Sequence, residues 1–344
     1  MTVAIDPGMA VEFREAPDVV QRQARVLAKP VAELLARLER SPPSLVVTCA
    51  RGSSAHAATF GKHLIERHLG IPVAAAAPNI ATVYRQPLKL SGQLFLAVSQ
   101  SGQSDDLIEM THMARSAGAV TVAIVNDTES PLVDACDVVL PMAAGPERSV
   151  AATKTFVATL AALVRLTADW TADRALATAL DRLPQRLAAA GNLDWSGAVG
   201  ALAGSRSLVS IGRGPTLAIA REASLKLKET CNLHAEAFSG AEFLHGPVAL
   251  VSALYPTLLF MPTDEAAAGM HELAADLAHK GAAVLMTEGS VARTGRLPVL
   301  APEHPETDAI CLIQSFYGLV VDLADRLGIS ADRPRHLKKV TRTR

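Results

Sequence analysis

Short apolar runs alternate with longer amphipathic stretches along most of the chain. Residues 45–49 (LVVTC), 73–77, 94–98 (LFLAV), 120–125 and 137–142 are dense in Val, Leu and Ala, as strands buried on both faces are. Helical patterns lie between them. One covers 31–40, ahead of Ser41-Pro42-Pro43; another covers 55–69 and is closed by Gly70. A third runs from Asp105 to about Ala117 and is closed by Gly118, and a fourth from about Ala152 to Trp170. Residues 1–30 are polar and helical after Pro17. Residues 171–204, rich in Ala and Leu with breaks at Gly191 and Gly197, read as a connection. The pattern then restarts. SLVSI at 207–211 is a buried strand, Gly212-Arg213-Gly214-Pro215 a tight turn, and a helix opens from it. The last strand is expected at Val299-Leu300 and the last helix from about Glu306 to Leu327. Apolar strands alternating with helices predict an α/β fold with parallel sheets.

The restart is a repeat. Arg51-Gly52 returns as Arg213-Gly214, Leu96 as Leu258, and Gly118 as Gly281, each about 160 residues later. A tandem pair of α/β units follows, and 344 residues suffice for two. The expected organisation is an N-terminal helical segment (1–30), a first domain (31–170), a helical connection (171–204), a second domain (205–330) and a basic tail (331–344). The halves differ in chemistry. SQSGQS after the third strand of the first becomes Met261-Pro262-Thr263-Asp264 in the second, so two half-equipped repeats point to one composite site.

Charge narrows the function classes. The 33 basic and 34 acidic residues leave a formal net charge of −1, which argues against nucleic-acid or membrane-surface binding by the chain as a whole. No signal peptide opens the sequence. The uncharged window 246–263 is interrupted by Pro247, Pro256 and Pro262, so it reads as strand and turn rather than a membrane span. Cys49, Cys136, Cys231 and Cys311 are scattered without a C-x-x-C pair and read as reduced thiols of a cytoplasmic protein.

Two stretches carry chemistry. In SQSGQS the hydroxyls of Ser99, Ser101 and Ser104 and the amides of Gln100 and Gln103 gather before a helix N-terminus, whose N–H groups add donors and about +0.5 charge. Capping of the helix explains one serine; the rest predict a phosphate site with no Lys or Arg, with Ser53, Ser54 and the segment 149–153 closing around the ligand. Neither nucleotide-loop motif is present, so a small phosphorylated metabolite is expected. The second stretch is 221–246. Glu222, Lys226 and Glu229 share a helix face. One reading is a solvated face laced with ion pairs; the other is a site on a helix that opens from a glycine turn after a buried strand. His234, Glu236, Glu242 and His245 leave three readings open: metal ligands, structural polar residues, or an acid–base His245 near Glu229.

SQSGQS, VAATKTF (150–156), EASLKLKE (222–229), HAEAFSGAEFLHGP (234–247) and PRHLKKV (334–340) resemble the SIS (sugar isomerase) domain family, in order and over most of the chain. Within it they are most similar to the isomerase half of glutamine–fructose-6-phosphate aminotransferase. The resemblance implies two tandem three-layer α/β/α domains of flavodoxin-like topology and a homodimer. It implies phosphate held by Ser99, Gln100, Ser101 and Ser104 with Ser53 and Ser54 beside them, and sugar contacts from Val150 and Ala151. It implies proton transfer between C1 and C2 by Glu229, ring opening by His245, often from the other subunit, and Lys339 able to form a Schiff base with a ketose; Lys226, one helical turn before Glu229, is expected to assist. No cofactor or metal is implied. Only about 40 residues precede the first strand, too few for a glutamine-hydrolysing domain. The expectation is therefore a stand-alone glucosamine-6-phosphate deaminase of amino-sugar metabolism. An aldose–ketose isomerase, an ammonia-dependent synthase and a sugar-phosphate-sensing regulator are the alternatives.

Overall fold

A computed structural model describes residues 8–339. Its strands form two five-stranded sheets in which every ladder is parallel. The first comprises β1 (Val46–Ala50), β2 (Val73–Ala75), β3 (Leu94–Ser99), β4 (Val120–Val125) and β5 (Val138–Pro141), in the order β2-β1-β3-β4-β5. The second comprises β6 (Ser207–Gly212), β7 (His234–Ser239), β8 (Pro256–Leu259), β9 (Ala283–Thr287) and β10 (Arg296–Leu297), in the order β10-β9-β8-β6-β7. Counted within each sheet, both run 2-1-3-4-5, the flavodoxin-like order. The expected sequence repeat is thus a repeat of topology. All six residues of β3 are buried, as a central parallel strand covered on both faces requires.

The main helices are α1 (Ala16–Arg40), α2 (Gly52–Leu69), α3 (Asp105–Ser116), α4 (Lys154–Thr171), α5 (Arg174–Ala190), α6 (Thr216–Cys231), α7 (Gly240–Leu244), α8 (Ala267–His279) and α9 (Pro305–Arg326). The chain packs as two compact units. One gathers Met1–Pro17, Arg148–Thr153 and Asp181–Leu337; the other gathers Asp18–Glu147, Lys154–Leu180 and Lys338–Arg344. In the unit of the first sheet, buried Gln23 on α1 donates to the carbonyls of Met142 (3.1 Å) and Ala158 (2.9 Å), fixing α1 against the end of the sheet and α4. In the unit of the second sheet, α9 is the core helix. It is long and apolar enough to cross a membrane, but 83% of its apolar window is buried inside the fold. Gln314 on α9 donates to Phe13 O (2.9 Å), which ties the N-terminal segment to that core. All four cysteines are free thiols.

Three local expectations change. The strand expected at Val299-Leu300 lies earlier, at β10, because Pro298 has no N–H to continue the ladder. His234 and Glu236, for which no strand was expected, lie on β7, an edge strand paired with β6 and half exposed. Ser53 and Ser54, which precede the helix expected at 55–69, form the first turn of α2.

Candidate active site

The serine loop sits where β3 ends and α3 begins, at the carboxyl edge of its sheet, where open α/β sheets bind ligands. Ser99 Oγ accepts from Gly102 N (3.0 Å) and Ser101 Oγ accepts from Gln103 N (3.3 Å), so two hydroxyls shape the loop. Gly102 stands at φ +63°, and a Cβ there would fall 1.9 Å from Ser130 Oγ, so no other residue fits. Ser104 is the N-cap of α3, yet its side chain makes no cap bond. The capping explanation for Ser104 therefore fails. Leu107 N and Ile108 N donate to Ser104 O (3.1 Å each) and Leu107 N also to Asp106 Oδ1 (2.9 Å), so an anion here would meet the Ser104 hydroxyl and the N–H groups of Asp105 and Asp106.

A second loop is tied to this one. Arg51, just before α2, binds Asp106 in the first turn of α3 through Nε (3.1 Å) and Nη2 (2.8 Å). Asp106 is buried while the Arg51 side chain is 55% exposed. This forked pair holds the start of α2, with Ser53 and Ser54, against the start of α3. In the same unit buried Glu147 accepts from Thr155 N (3.1 Å) and Thr155 Oγ1 (2.7 Å), an anion capping α4. Lys339 Nζ lies 3.0 Å from Glu147 Oε2, the oxygen that also accepts from Thr155 Oγ1. The proposed Schiff-base lysine is therefore held in an ion pair; the tail beyond it lies outside the described residues.

In the unit of the second sheet, the β6–α6 turn is tight enough that a Cβ on Gly212 would meet Thr216 O at 2.2 Å. Thr216 Oγ1 accepts from Arg213 N (3.0 Å) and donates to Phe260 O (2.7 Å), which fixes the start of α6 to the end of β8. From that anchored end α6 carries Lys226 fully buried, with Nζ 3.3 Å from Glu222 Oε1 and 2.5 Å from Glu229 Oε2. Glu222 is also fully buried, whereas Glu229 is 19% exposed. A solvated charge face is thereby excluded. Burial is the strongest influence on Lys226 and pulls its pKa down, but the Glu222 and Glu229 charges and their hydrogen bonds outweigh it and leave the ammonium above its ordinary value. The trio is one cation and two carboxylates, and Glu229 is its one outlet to the surface.

His245 follows α7 directly as an exposed residue whose backbone N–H donates to Glu242 O (3.0 Å). It follows a five-residue helix rather than a long loop. Glu242 and Ser239 bond reciprocally at the start of that helix, the carboxylate accepting from Ser239 Oγ (3.2 Å) and Ser239 Oγ accepting from Glu242 N (3.3 Å). Glu242 is thus structural. Val150 and Ala151 lie in a segment fixed in the same unit by buried Glu12, whose carboxylate accepts from Arg148 N (2.5 Å) and Ser149 N (3.1 Å).

A sequence profile of the SIS domain matches residues 43–168 and 201–323. The chain belongs to the SIS domain family. The two matched stretches each contain one of the five-stranded sheets. This SIS-domain chain is 29% identical to glutamine–fructose-6-phosphate aminotransferase of Leifsonia xyli over 96% of its length, covering 58% of that protein. It is 32% identical to the same enzyme of Thermotoga maritima over 86% of its length, covering 50% of that protein. It therefore spans about half the length of these relatives. Among solved structures it superposes on a Silicibacter pomeroyi protein assigned as a phosphosugar isomerase with TM-score 0.89 and 45% identity, covering 94% of this chain and 99% of the other. The glucosamine-6-phosphate deaminase of Thermotoga maritima shares the fold, with TM-score 0.73 at 21% identity, covering 96% of this chain and 100% of that one.

Sequence reasoning carried little signal for several residues that shape these loops. Arg51 stands out in the sequence only as a repeat landmark, and nothing in the spacing points to its partner Asp106. Glu147 and Glu12 gave no periodic signal, since both act through partners distant in sequence.

Proposed function

We propose that the chain is a phosphosugar-converting enzyme and that its reaction is the deamination of glucosamine 6-phosphate to fructose 6-phosphate and ammonia. The observation that carries the proton-transfer reading is the buried Glu222–Lys226–Glu229 trio with Glu229 at its surface end. The donor-rich serine loop at the α3 N-terminus supports a phosphorylated substrate. Resemblance to the aminotransferase isomerase supports the sugar and the reaction class.

In this reading the serine loop binds the 6-phosphate, and His245 moves a proton in opening the pyranose to the aldehyde. Glu229 removes the C2 proton and a proton returns to C1, leaving a ketimine at C2. Water adds to the C2=N bond, ammonia leaves and the ketone remains. An acid–base group of this kind contributes about 10²–10⁴-fold. Lys226 stays protonated and balances the charge on Glu229 and on the enediol-like intermediate. Its ordinary place is the cytoplasm, where four free thiols persist.

The test is conversion of glucosamine 6-phosphate followed by ammonia release and by exchange of the C2 proton with deuterated solvent. Glu229→Gln keeps the shape and loses the proton acceptor, so exchange and turnover should fall by about 10²-fold or more. Near-normal exchange in Glu229→Gln removes Glu229 from the mechanism. Exchange without ammonia release, with glucose and fructose 6-phosphates interconverting, assigns the chain as an aldose–ketose isomerase instead.

A further inference from the structure

In the first sheet the chain steps from β1 outward to β2 and then back past β1 to β3. A crevice for a ligand therefore lies between the carboxyl ends of β1 and β3. The serine loop lines its β3 side. Arg51 stands on its β1 side, as the one residue between β1 and Gly52, the first of α2. Gly52 takes φ +54°, and a Cβ there would meet nothing within 4 Å, so the backbone beside Arg51 borders open space.

The Arg51 guanidinium is used on one edge only. Nε and Nη2 both donate to Asp106 Oδ2, at 3.1 and 2.8 Å, and the side chain makes no other hydrogen bond or ion pair among the described residues. Nη1 is left, on a side chain 55% exposed. Asp106 is spent inward. It is buried, and its other oxygen accepts from Leu107 N (2.9 Å). The aspartate is thus closed to a ligand and the arginine open to one. Charge points the same way. Asp105 and Asp106 place two carboxylates in the first turn of α3, the turn read as meeting the phosphate, and the serine loop itself holds no cation. Arg51 offsets one of the two. The repeat adds a contrast. Arg51 returns as Arg213, and Asp105 at the start of α3 corresponds to Ala267 at the start of α8, both 162 residues later. At that spacing Asp106 is replaced by Ala268, so no aspartate stands there to hold Arg213. The arginine occurs in both repeats, but its clamp occurs only in the repeat with the donor loop.

We propose that Arg51 is a specificity-determining residue of the phosphosugar site: its outer edge donates to the substrate phosphate, and Asp106 holds the guanidinium in place to do so. A hydrogen bond between ions is stronger than one from a hydroxyl, so this contact selects a phosphate monoester over the neutral sugar. The inference rests on the phosphosugar reading above and deepens it, since the phosphate site expected to lack Lys and Arg gains one cation.

The probes are glucitol 6-phosphate, which has no carbonyl to react, and inorganic phosphate, each titrated calorimetrically into the full chain. Arg51→Gln should weaken both by about tenfold or more. Asp106→Asn should bind both as tightly as wild type or more tightly, because the amide oxygen still accepts from Arg51 while a carboxylate beside the phosphate is gone. A pair that only braced the two helix starts would lose binding in either variant. Arg51→Gln with Asp106→Asn leaves no buried carboxylate unpaired, so it should unfold close to wild type and still bind as weakly as Arg51→Gln. The inference is overturned if the Arg51 variants bind within about threefold of wild type. It is overturned equally if Asp106→Asn weakens binding as much as Arg51→Gln, or if Arg51→Gln weakens glucitol 6-phosphate and leaves inorganic phosphate unchanged, which would place Arg51 on the sugar. A wild type that binds no glucitol 6-phosphate overturns the phosphosugar reading itself, and this inference with it.

Discussion

Lys226→Met removes the single cation from the buried trio on α6. The substitution is close in volume, so the loss is electrostatic. Glu222, with no exposed surface, is left without its 3.3 Å partner, and the nearby Glu229 carboxylate adds repulsion. Removing one member of a buried ion pair costs about 3–5 kcal/mol. At a urea m-value of about 2.5 kcal/mol/M this lowers the unfolding midpoint of the unit by about 1–2 M. Lys226→Met with Glu222→Gln removes a charge of each sign, and most of the loss should return, because neutral replacement of a buried pair is nearly free of cost. Trp195 gives the readout. It is 3% exposed in the same unit as α6, and Trp170→Phe silences the other tryptophan. A single variant that loses less than about 1 kcal/mol, or a double variant no more stable than the single, would refute the buried-trio argument.

The remaining predictions concern the loop, the lysine and assembly. Ser101→Ala with Ser104→Ala should raise KM for a hexose 6-phosphate at least tenfold with little change in the unfolding midpoint; an unchanged KM takes the phosphate away from this loop. Since the folded-state pKa of Lys226 lies above its unfolded value, its contribution is complete below about pH 10 and is lost as pH rises through the folded value. Wild type should therefore lose stability more steeply above about pH 10 than Lys226→Met with Glu222→Gln, and parallel alkaline profiles would contradict this. We propose that the exposed His245 completes its site in a second copy of the chain, so mixing Glu229→Gln with His245→Ala subunits should restore part of the activity; no restoration after confirmed subunit exchange removes the shared site.

Legibility from sequence followed how locally each feature is specified. The central strands were plain, since LFLAV is apolar on both faces and SLVSI sets three apolar residues among only small serines, as covered strands do. The edge strand β7 was hidden because one neighbour and one wet face leave a sequence such as His-Ala-Glu-Ala with no apolar run. The repeat was visible in its glycines, which mark turns fixed by backbone geometry. The packing units were not, because each gathers segments far apart in sequence: Glu12 reaches Arg148 and Ser149, and Lys339 reaches Glu147. Such partners leave no periodic trace.

The same limit applies to charge. Glu-x-x-x-Lys-x-x-Glu is the ordinary pattern of an exposed helix laced with ion pairs, and spacing alone cannot tell it from a buried trio. What decides is the surroundings of α6. Ala223, Leu227 and Cys231 bury the helix beside those charges, and Cys231 Sγ reaches Val320 O of the core helix α9 at 3.6 Å. Desolvation that would discharge an isolated lysine is here overcome by two carboxylates, so Lys226 stays protonated because its neighbours are buried with it. A carboxylate at the surface end of such a cluster differs from one on a solvated face. It faces a fully buried ammonium on one side and solvent on the other, which is the geometry the proposed proton transfer from carbon requires.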